Sequence, residues 1–115
     1  MDSGRVLIVE DPLVRRLIEG ILVRDGFAVK QAESQCALGL LDDPQHRFAL
    51  LITNEPQLFA DRGLDLPVLY VAASPDPQWL LKFPRCRALQ KPFRPRQLLD
   101  LAHELVEASP AAAAI

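Results

Sequence analysis

Three apolar runs in this chain each hand over to residues that could do chemistry. RVLIV (Arg5–Val9) leads into Glu10 and Asp11, FALLIT (Phe48–Thr53) into Asn54, and CRALQ (Cys86–Gln90) into Lys91. Two carboxylates and a lysine in one crevice suit Mg²⁺ and phosphoryl chemistry. Magnesium takes one or two carboxylates plus waters and phosphate oxygens, and an ammonium holds a phosphoryl oxygen. Asn54 is the odd member, since it delivers an amide where a carboxylate would serve that chemistry. A fourth run, PVLYVA (Pro67–Ala72), ends on Ala72 and Ala73.

The elements that must position these residues are legible. RVLIV has the pattern of a strand buried on both faces. Asp11-Pro12 reads as an N-cap with proline at the first helical position. Leu13, Leu17 and Ile21 then fall on one line, with Val14, Ile18 and Leu22 beside it, which predicts a helix. Gly26 supplies its left-handed cap. FAVKQA (Phe27–Ala32) predicts a second strand, and a second helix runs from Ser34 to a stop before Asp43-Pro44. FALLIT and PVLYVA are the third and fourth strands, and the less apolar CRALQ is a fifth, suited to an edge. A last amphipathic helix opens after Pro95 and buries Leu98, Leu101, Ala102 and Leu105. Strands alternating with helices, with no hairpin turn, predict an α/β fold: a flavodoxin-like, doubly wound, five-stranded parallel sheet in the order 2-1-3-4-5. In such sheets the functional crevice lies beyond the carboxyl ends of the strands, where Glu10, Asp11, Asn54, Ala72 and Lys91 all fall. The third and fourth crossovers are expected to be short. Only twelve residues separate Asn54 from Pro67, about the minimum for a parallel connection, and PDPQWLLKFP leaves room for barely two turns.

The totals set outer bounds. At 115 residues the chain is expected to be one domain (1–115), with a core over about 4–107 and a tail over 108–115 that has no reason to pack. A net charge of −2 with no basic block argues against a nucleic-acid surface. No apolar run approaches a membrane span and no signal peptide is seen, so the expectation is a cytoplasmic protein. Cys36 and Cys86 lie in no metal-type spacing and are expected to be buried, reduced thiols.

Together these features resemble a response-regulator receiver domain of the CheY-like kind, the phosphorylatable module of bacterial two-component signalling. The resemblance spans about Gly4 to Glu107. VLIVED resembles the family's first strand and acidic pair, LPVLYVAAS its fourth strand, and LQKPF its lysine–proline turn. It implies a cis bond between Lys91 and Pro92.

The departures from that family are as informative as the matches. The alignment of LLIT with the third strand puts Asn54 where the phosphate-accepting aspartate would stand; an alignment on Pro56 would put Ile52 there, but strand continuity favours Asn54. An amide lacks the nucleophilic carboxylate oxygen that forms an acyl phosphate. Ala72 stands in place of the phosphoryl-binding hydroxyl, and Ala88 in place of the switching aromatic. The resemblance therefore implies a degenerate member that keeps the acidic pocket (Glu10, Asp11), Lys91 and Pro92 but has lost its phosphoacceptor.

Plainer roles compete for several of these residues. Asp11 is either an N-cap or a retained ligand for weakly bound Mg²⁺ alongside Glu10. Lys91 reads first as a structural counter-ion, and Asn54 as a hydrogen-bond donor to Glu10 or Asp11. Thr53 and Ser74 read as turn residues. Glu55 is offset by one residue and should point away from the crevice if the strand runs regularly; the alternative is a permanent negative charge near the crevice that locks an active-like state. His46 and His103 are isolated. On the short fourth crossover, Trp79 and Phe83 are four apart and are either a core contact or an exposed anchor. With Arg85, Arg87, Arg94 and Arg96 they would form an interface on the face that receivers commonly use. The expected function is a phosphorylation-independent signalling or protein-interaction module, not an enzyme, without a required cofactor. Its partner would be a histidine kinase, a phosphotransfer protein or a second copy of itself. Two alternatives remain: a receiver phosphorylated at a nonstandard residue, and a small-ligand-binding flavodoxin-like domain. The second lacks a Gly-rich phosphate loop, since VEDPLVR stands after strand one.

Overall fold

A computed structural model describes residues 5–107; the expectations for the first four residues and for the 108–115 tail lie outside the described residues. Its elements are β1 (Arg5–Val9), α1 (Pro12–Arg24), β2 (Ala28–Gln31), α2 (Ser34–Asp42), β3 (Phe48–Thr53), β4 (Val68–Ala72), β5 (Cys86–Gln90) and α3 (Pro95–Glu107). The strands form one parallel sheet in the order β2-β1-β3-β4-β5, as the alternating apolar runs predict.

Both faces of the sheet are covered. On one side Val6, Ile8, Leu50 and Ile52 pack with Ile18 and Leu22 of α1 and Leu98, Ala102 and Leu105 of α3. On the other, Leu7, Val9 and Leu51 meet Ala37 and Leu41 of α2 together with Phe59, Leu66 and Phe83. Burying a side chain such as Ile18 or Leu22 contributes roughly 2 kcal/mol each, so α1 is held chiefly by this one stripe. Central β3 is buried along its whole length, whereas edge strand β2 alternates exposed and half-buried positions, the period-2 pattern of a strand with one wet face. Gly26, at φ 96°, ends α1 in the left-handed region, where glycine meets no Cβ penalty.

The two lean crossovers contain no α-helix. The third holds only a 3₁₀ turn at Pro56–Leu58 and the fourth a 3₁₀ helix at Pro77–Leu81. Bulk in place of regularity anchors the third: Phe59 is wholly buried, and Leu66 nearly so. The fourth corrects one expectation. Its helix stops at Leu81, so Phe83 lies on the chain returning to β5 and turns into the core at 8% exposure. Phe83 is therefore not part of an exposed interface.

The cysteines divide as well. Cys36 is exposed on α2, contrary to the expected burial, while Cys86 is half-buried at the start of β5. Burial pushes the Cys86 thiol up to about 11. At pH 8 its thiolate fraction is then about a hundredfold below that of an ordinary thiol. Iodoacetamide should accordingly modify Cys36 alone within minutes, and Cys86 only when denaturant is added. Equal rates in the folded protein, read by intact mass, would contradict the burial assigned to Cys86.

Candidate functional site

The site is built on three strand ends. Parallel register sets Val9 beside Thr53, so Glu10 and Asn54, one residue further on each strand, leave the sheet side by side. Ile52, the alternative to Asn54, is instead fully buried inside β3 opposite Ile8. β5 joins the same edge through its backbone, with Lys91 N–H donating to the Ala72 carbonyl at 2.9 Å. The Lys91–Pro92 bond is cis, as the resemblance implied.

Glu10 is the electrostatic centre. Its side chain is 0% exposed and that of Lys91 26%. The Lys91 Nζ lies 3.2 Å from each carboxylate oxygen and donates a hydrogen bond to Oε1. Oε1 also accepts the Asp11 backbone N–H at 3.0 Å, whereas Oε2 has no hydrogen-bond donor of its own. A carboxylate that has lost its water needs such partners, and the sequence anticipated the need without naming the partner. Lys91 thus has the counter-ion role expected of it.

Asp11 occupies the N-cap position of α1, yet its side chain makes no capping hydrogen bond. Its backbone N–H donates to Glu10 Oε1, and its carboxylate is exposed. Capping therefore does not account for Asp11. Asn54 is half-buried, and among the described residues it makes no side-chain hydrogen bond to Glu10 or Asp11, so the expected amide donation is not made. Thr53 is fully buried and its Oγ1 accepts the Glu55 N–H at 3.0 Å, which is the turn role expected of it. Glu55 departs from expectation. The backbone turns out of extended geometry at this residue (φ −129°, ψ 66°), and Glu55 lines the same hollow as Glu10, Asp11, Arg15 and Asn54. Strand alternation fails there because the strand has already ended at Thr53.

That hollow is about 140 Å³, room for a few waters at about 30 Å³ each. It is smaller than the roughly 300–1,000 Å³ of ordinary ligand pockets, which disfavours a nucleotide or flavin here. A small hydrated cation is a better fit. The Glu10 Oε2, with no hydrogen bond of its own, and the uncapped Asp11 carboxylate are available to it, but Lys91 lies 3.2 Å from Oε2, Arg15 lines the same hollow with a buried, unpartnered Nε, and no group of three acidic, histidine or cysteine side chains among the described residues is arranged to enclose a metal. Glu10 and Asp11 would hold Mg²⁺ weakly, with water completing its shell.

On the opposite side of Lys91, Ala88 lines a second hollow of about 580 Å³ with Gln90, Pro92, Gln97 and Leu101. The small side chain leaves open a space that an aromatic would fill. Around the suggested interface, Trp79 is half-buried and Leu81, which the sequence did not single out, is 88% exposed. Arg87 pairs with Glu104 and Arg96 with Asp100, so internal partners already answer part of the arginine charge; Arg85 and Arg94 are exposed without an ion pair among the described residues. His103 is not isolated: it contacts Asp25, and its ring lies tilted against Phe27 with centroids 5.0 Å apart. Among the described residues no helix is long and apolar enough to cross a membrane.

No protein-family model and no curated protein sequence matches the chain. Solved structures do. The receiver domain of the hybrid histidine kinase CckA is similar at 23% identity and TM-score 0.71, over 90% of this chain and 99% of that one. The receiver domain of NtrX from Brucella abortus is similar at 20% identity and TM-score 0.73, over 90% and 99%. The chemotaxis response regulator CheY4 of Vibrio cholerae gives 20% identity and TM-score 0.69, over 89% and 98%. A longer NtrX from Brucella abortus, in complex with ADP, gives TM-score 0.77 at 21% identity; the match takes in 94% of this chain but only 27% of that one. At such identities the likeness is one of architecture, and strand order, crevice and lysine–proline turn agree with it: the chain has the fold of CheY-like response-regulator receiver domains.

Proposed function

We propose that this protein is a receiver-like module of two-component signalling that works by binding another protein and does not take phosphate on an aspartate. The observation that carries the reading is Asn54, placed beside Glu10 at the mouth of the hollow where a receiver would present its acceptor. An amide there has no carboxylate oxygen to attack phosphorus. Ala72, with no hydroxyl, and Ala88, with no aromatic, support the same conclusion. In this reading the chain is not an enzyme and needs no cofactor, and Mg²⁺ at Glu10 and Asp11 is weak and dispensable. The partner is a kinase, a phosphotransfer protein or a second copy, met partly through the exposed Leu81 and Arg94 and the half-buried Trp79. Its free thiols, Cys36 and Cys86, suit the reducing cytoplasm.

The test is intact-mass spectrometry after incubation with acetyl phosphate and Mg²⁺. The wild type is expected to gain no phosphoryl adduct, and Asn54→Asp to gain one. An adduct on the wild type would overturn the proposal, and mapping it among Glu10, Asp11, Glu33 and Glu55, the acidic side chains lining the hollow, would identify the acceptor.

The same variant has a stability signature. A further carboxylate about 5–6 Å from Glu10 and Asp11 repels each by roughly 3 kcal/mol before relaxation at an effective dielectric near 20. After relaxation Asn54→Asp should lose about 1–2 kcal/mol without divalent cation, lowering Tm by roughly 5–10 °C. Millimolar Mg²⁺ should restore part of the loss. A higher Tm for the variant in EDTA would contradict this account of the pocket.

A further inference from the structure

Arg15 is a half-buried cation for which the fold supplies no partner. Its backbone N–H makes the first bond of α1, to the Asp11 carbonyl at 2.8 Å, which sets Arg15 one turn above Asp11 on the same helix face. The Nε is shut off from solvent and has no acceptor, and the guanidinium makes no ion pair among the described residues. A buried donor left without an acceptor costs free energy and calls for a reason.

The strand-end hollow offers that reason. Four acidic side chains line it, Glu10, Asp11, Glu33 and Glu55, and among the described residues Arg15 is the one basic side chain lining it. Lys91 reaches Glu10 from the β5 side and lines the other hollow, beside Ala88. Arg15 also lines a groove of about 630 Å³ between the end of β2 and α2, with Lys30, Cys36 and Leu40. Glu33 borders both spaces too, and at the N-cap of α2 its side chain makes no capping hydrogen bond. The guanidinium therefore stands on the wall between two open spaces, with carboxylates at hand and none fixing it. Its neighbour Arg16 is exposed and lines neither space.

A charge lining a small cavity is little screened, and it repels a dication twice as strongly as a monovalent ion. Space acts in the same direction. Mg²⁺ held octahedrally by two carboxylates keeps about four waters. At about 30 Å³ each, these take most of the 140 Å³ of the hollow, so the guanidinium and the hydrated ion compete for it. We propose that Arg15 is a built-in competitor for the cation of this hollow: it offsets the carboxylates when no dication is present and must withdraw toward the groove along α2 for one to bind. The inference rests on Glu10 and Asp11 being the cation site, and not on whether Asn54 takes phosphate.

Mg²⁺ titrations followed by calorimetry and by Tm test this without any phosphodonor. Arg15→Met, neutral and of similar length, is expected to bind Mg²⁺ about tenfold tighter than the wild type. Its Tm should accordingly rise further than that of the wild type on adding about 10 mM Mg²⁺. Arg15→Gln, polar and neutral, should show the same gain if methionine perturbs folding at this position. Arg16→Met removes the same charge from an exposed site and should change the affinity less than about twofold. Asp11→Asn added to Arg15→Met should abolish the gain. Neutral variants at Arg15 that bind Mg²⁺ no tighter than the wild type overturn the proposal, as does an equal gain in Arg16→Met or a gain that survives Asp11→Asn. Asn54→Asp separates two failures. If it binds Mg²⁺ while Arg15→Met gains nothing, the cation site stands and the competition by Arg15 falls; if neither binds, both fall.

Discussion

Lys91→Met is expected to destabilise the protein by about 3 kcal/mol at pH 7, as a buried pair loses one partner. The Glu10 side chain is fully buried, and its oxygens have only the Lys91 ammonium, at 3.2 Å from each, and one backbone N–H. Methionine keeps most of the aliphatic volume and removes the charge, so the carboxylate is stranded with a single donor. The figure sits at the low end of the range because a quarter of the Lys91 side chain meets solvent, and water entering by that route compensates in part. Urea unfolding should show a lower midpoint at unchanged slope. Glu10→Gln combined with Lys91→Met should recover most of the loss, since the cost lies in the orphaned charge and not in the pair itself. A single-variant cost below about 1 kcal/mol would mean that Glu10 is solvated in some way the buried geometry does not provide.

This pair also accounts for how a fully buried carboxylate is held at the sheet edge. Glu10 and Lys91 satisfy each other across the sheet edge, and Asp11, left uncapped and exposed, costs little in water. The remaining position, Asn54, is neutral and so adds no further carboxylate beside Glu10 and Asp11. A pocket of this composition is stable as it stands, which suits a part that presents a surface.

How much of this was readable in the sequence depended on periodicity. The five strands and three helices declared themselves through apolar runs and one-sided stripes, most of them closed by proline or glycine. Two crossovers have no period to read. In the fourth, Trp79 and Phe83 look like one face of a helix, but the helix is 3₁₀ and ends at Leu81, so Phe83 turns inward and Leu81 outward. Glu55 failed for the same reason, because the rule of alternate side chains stops where the strand does. Within the site, the need of Glu10 for a partner was legible from a carboxylate at the end of a buried strand. The choice of Lys91, 81 residues away, rested on the topology and the family resemblance. The hydrogen bond expected from Asn54 was a guess about rotamers, and spacing does not encode rotamers.

Phe59 is the residue the sequence hid best, and its removal is expected to have the largest effect. No helical stripe marks it; Leu58 beside it is equally apolar, and nothing local says which of the two is inside. The structure answers sharply, with Phe59 at 0% exposure and Leu58 at 37%. The reason is geometric. A crossover too short for an α-helix must still cover its face of the sheet, and one large ring beside Leu7, Leu51, Val68 and Phe83 does so. Phe59→Ala should therefore cost about 4 kcal/mol, the lost transfer energy plus a cavity that the rigid strands beneath cannot close. Domains of this size have only about 5–15 kcal/mol in total, so the variant should sit near its unfolding threshold at 37 °C. Leu58→Ala should cost under about 1 kcal/mol. Chemical denaturation of the two variants side by side is the measurement. Equal losses would mean that the crossover is held by its backbone turns and prolines, and that the ring is not its anchor. A large loss at Phe59 alone would mean that one aromatic side chain substitutes for a missing helix, and that the segment following Asn54 owes its position to it.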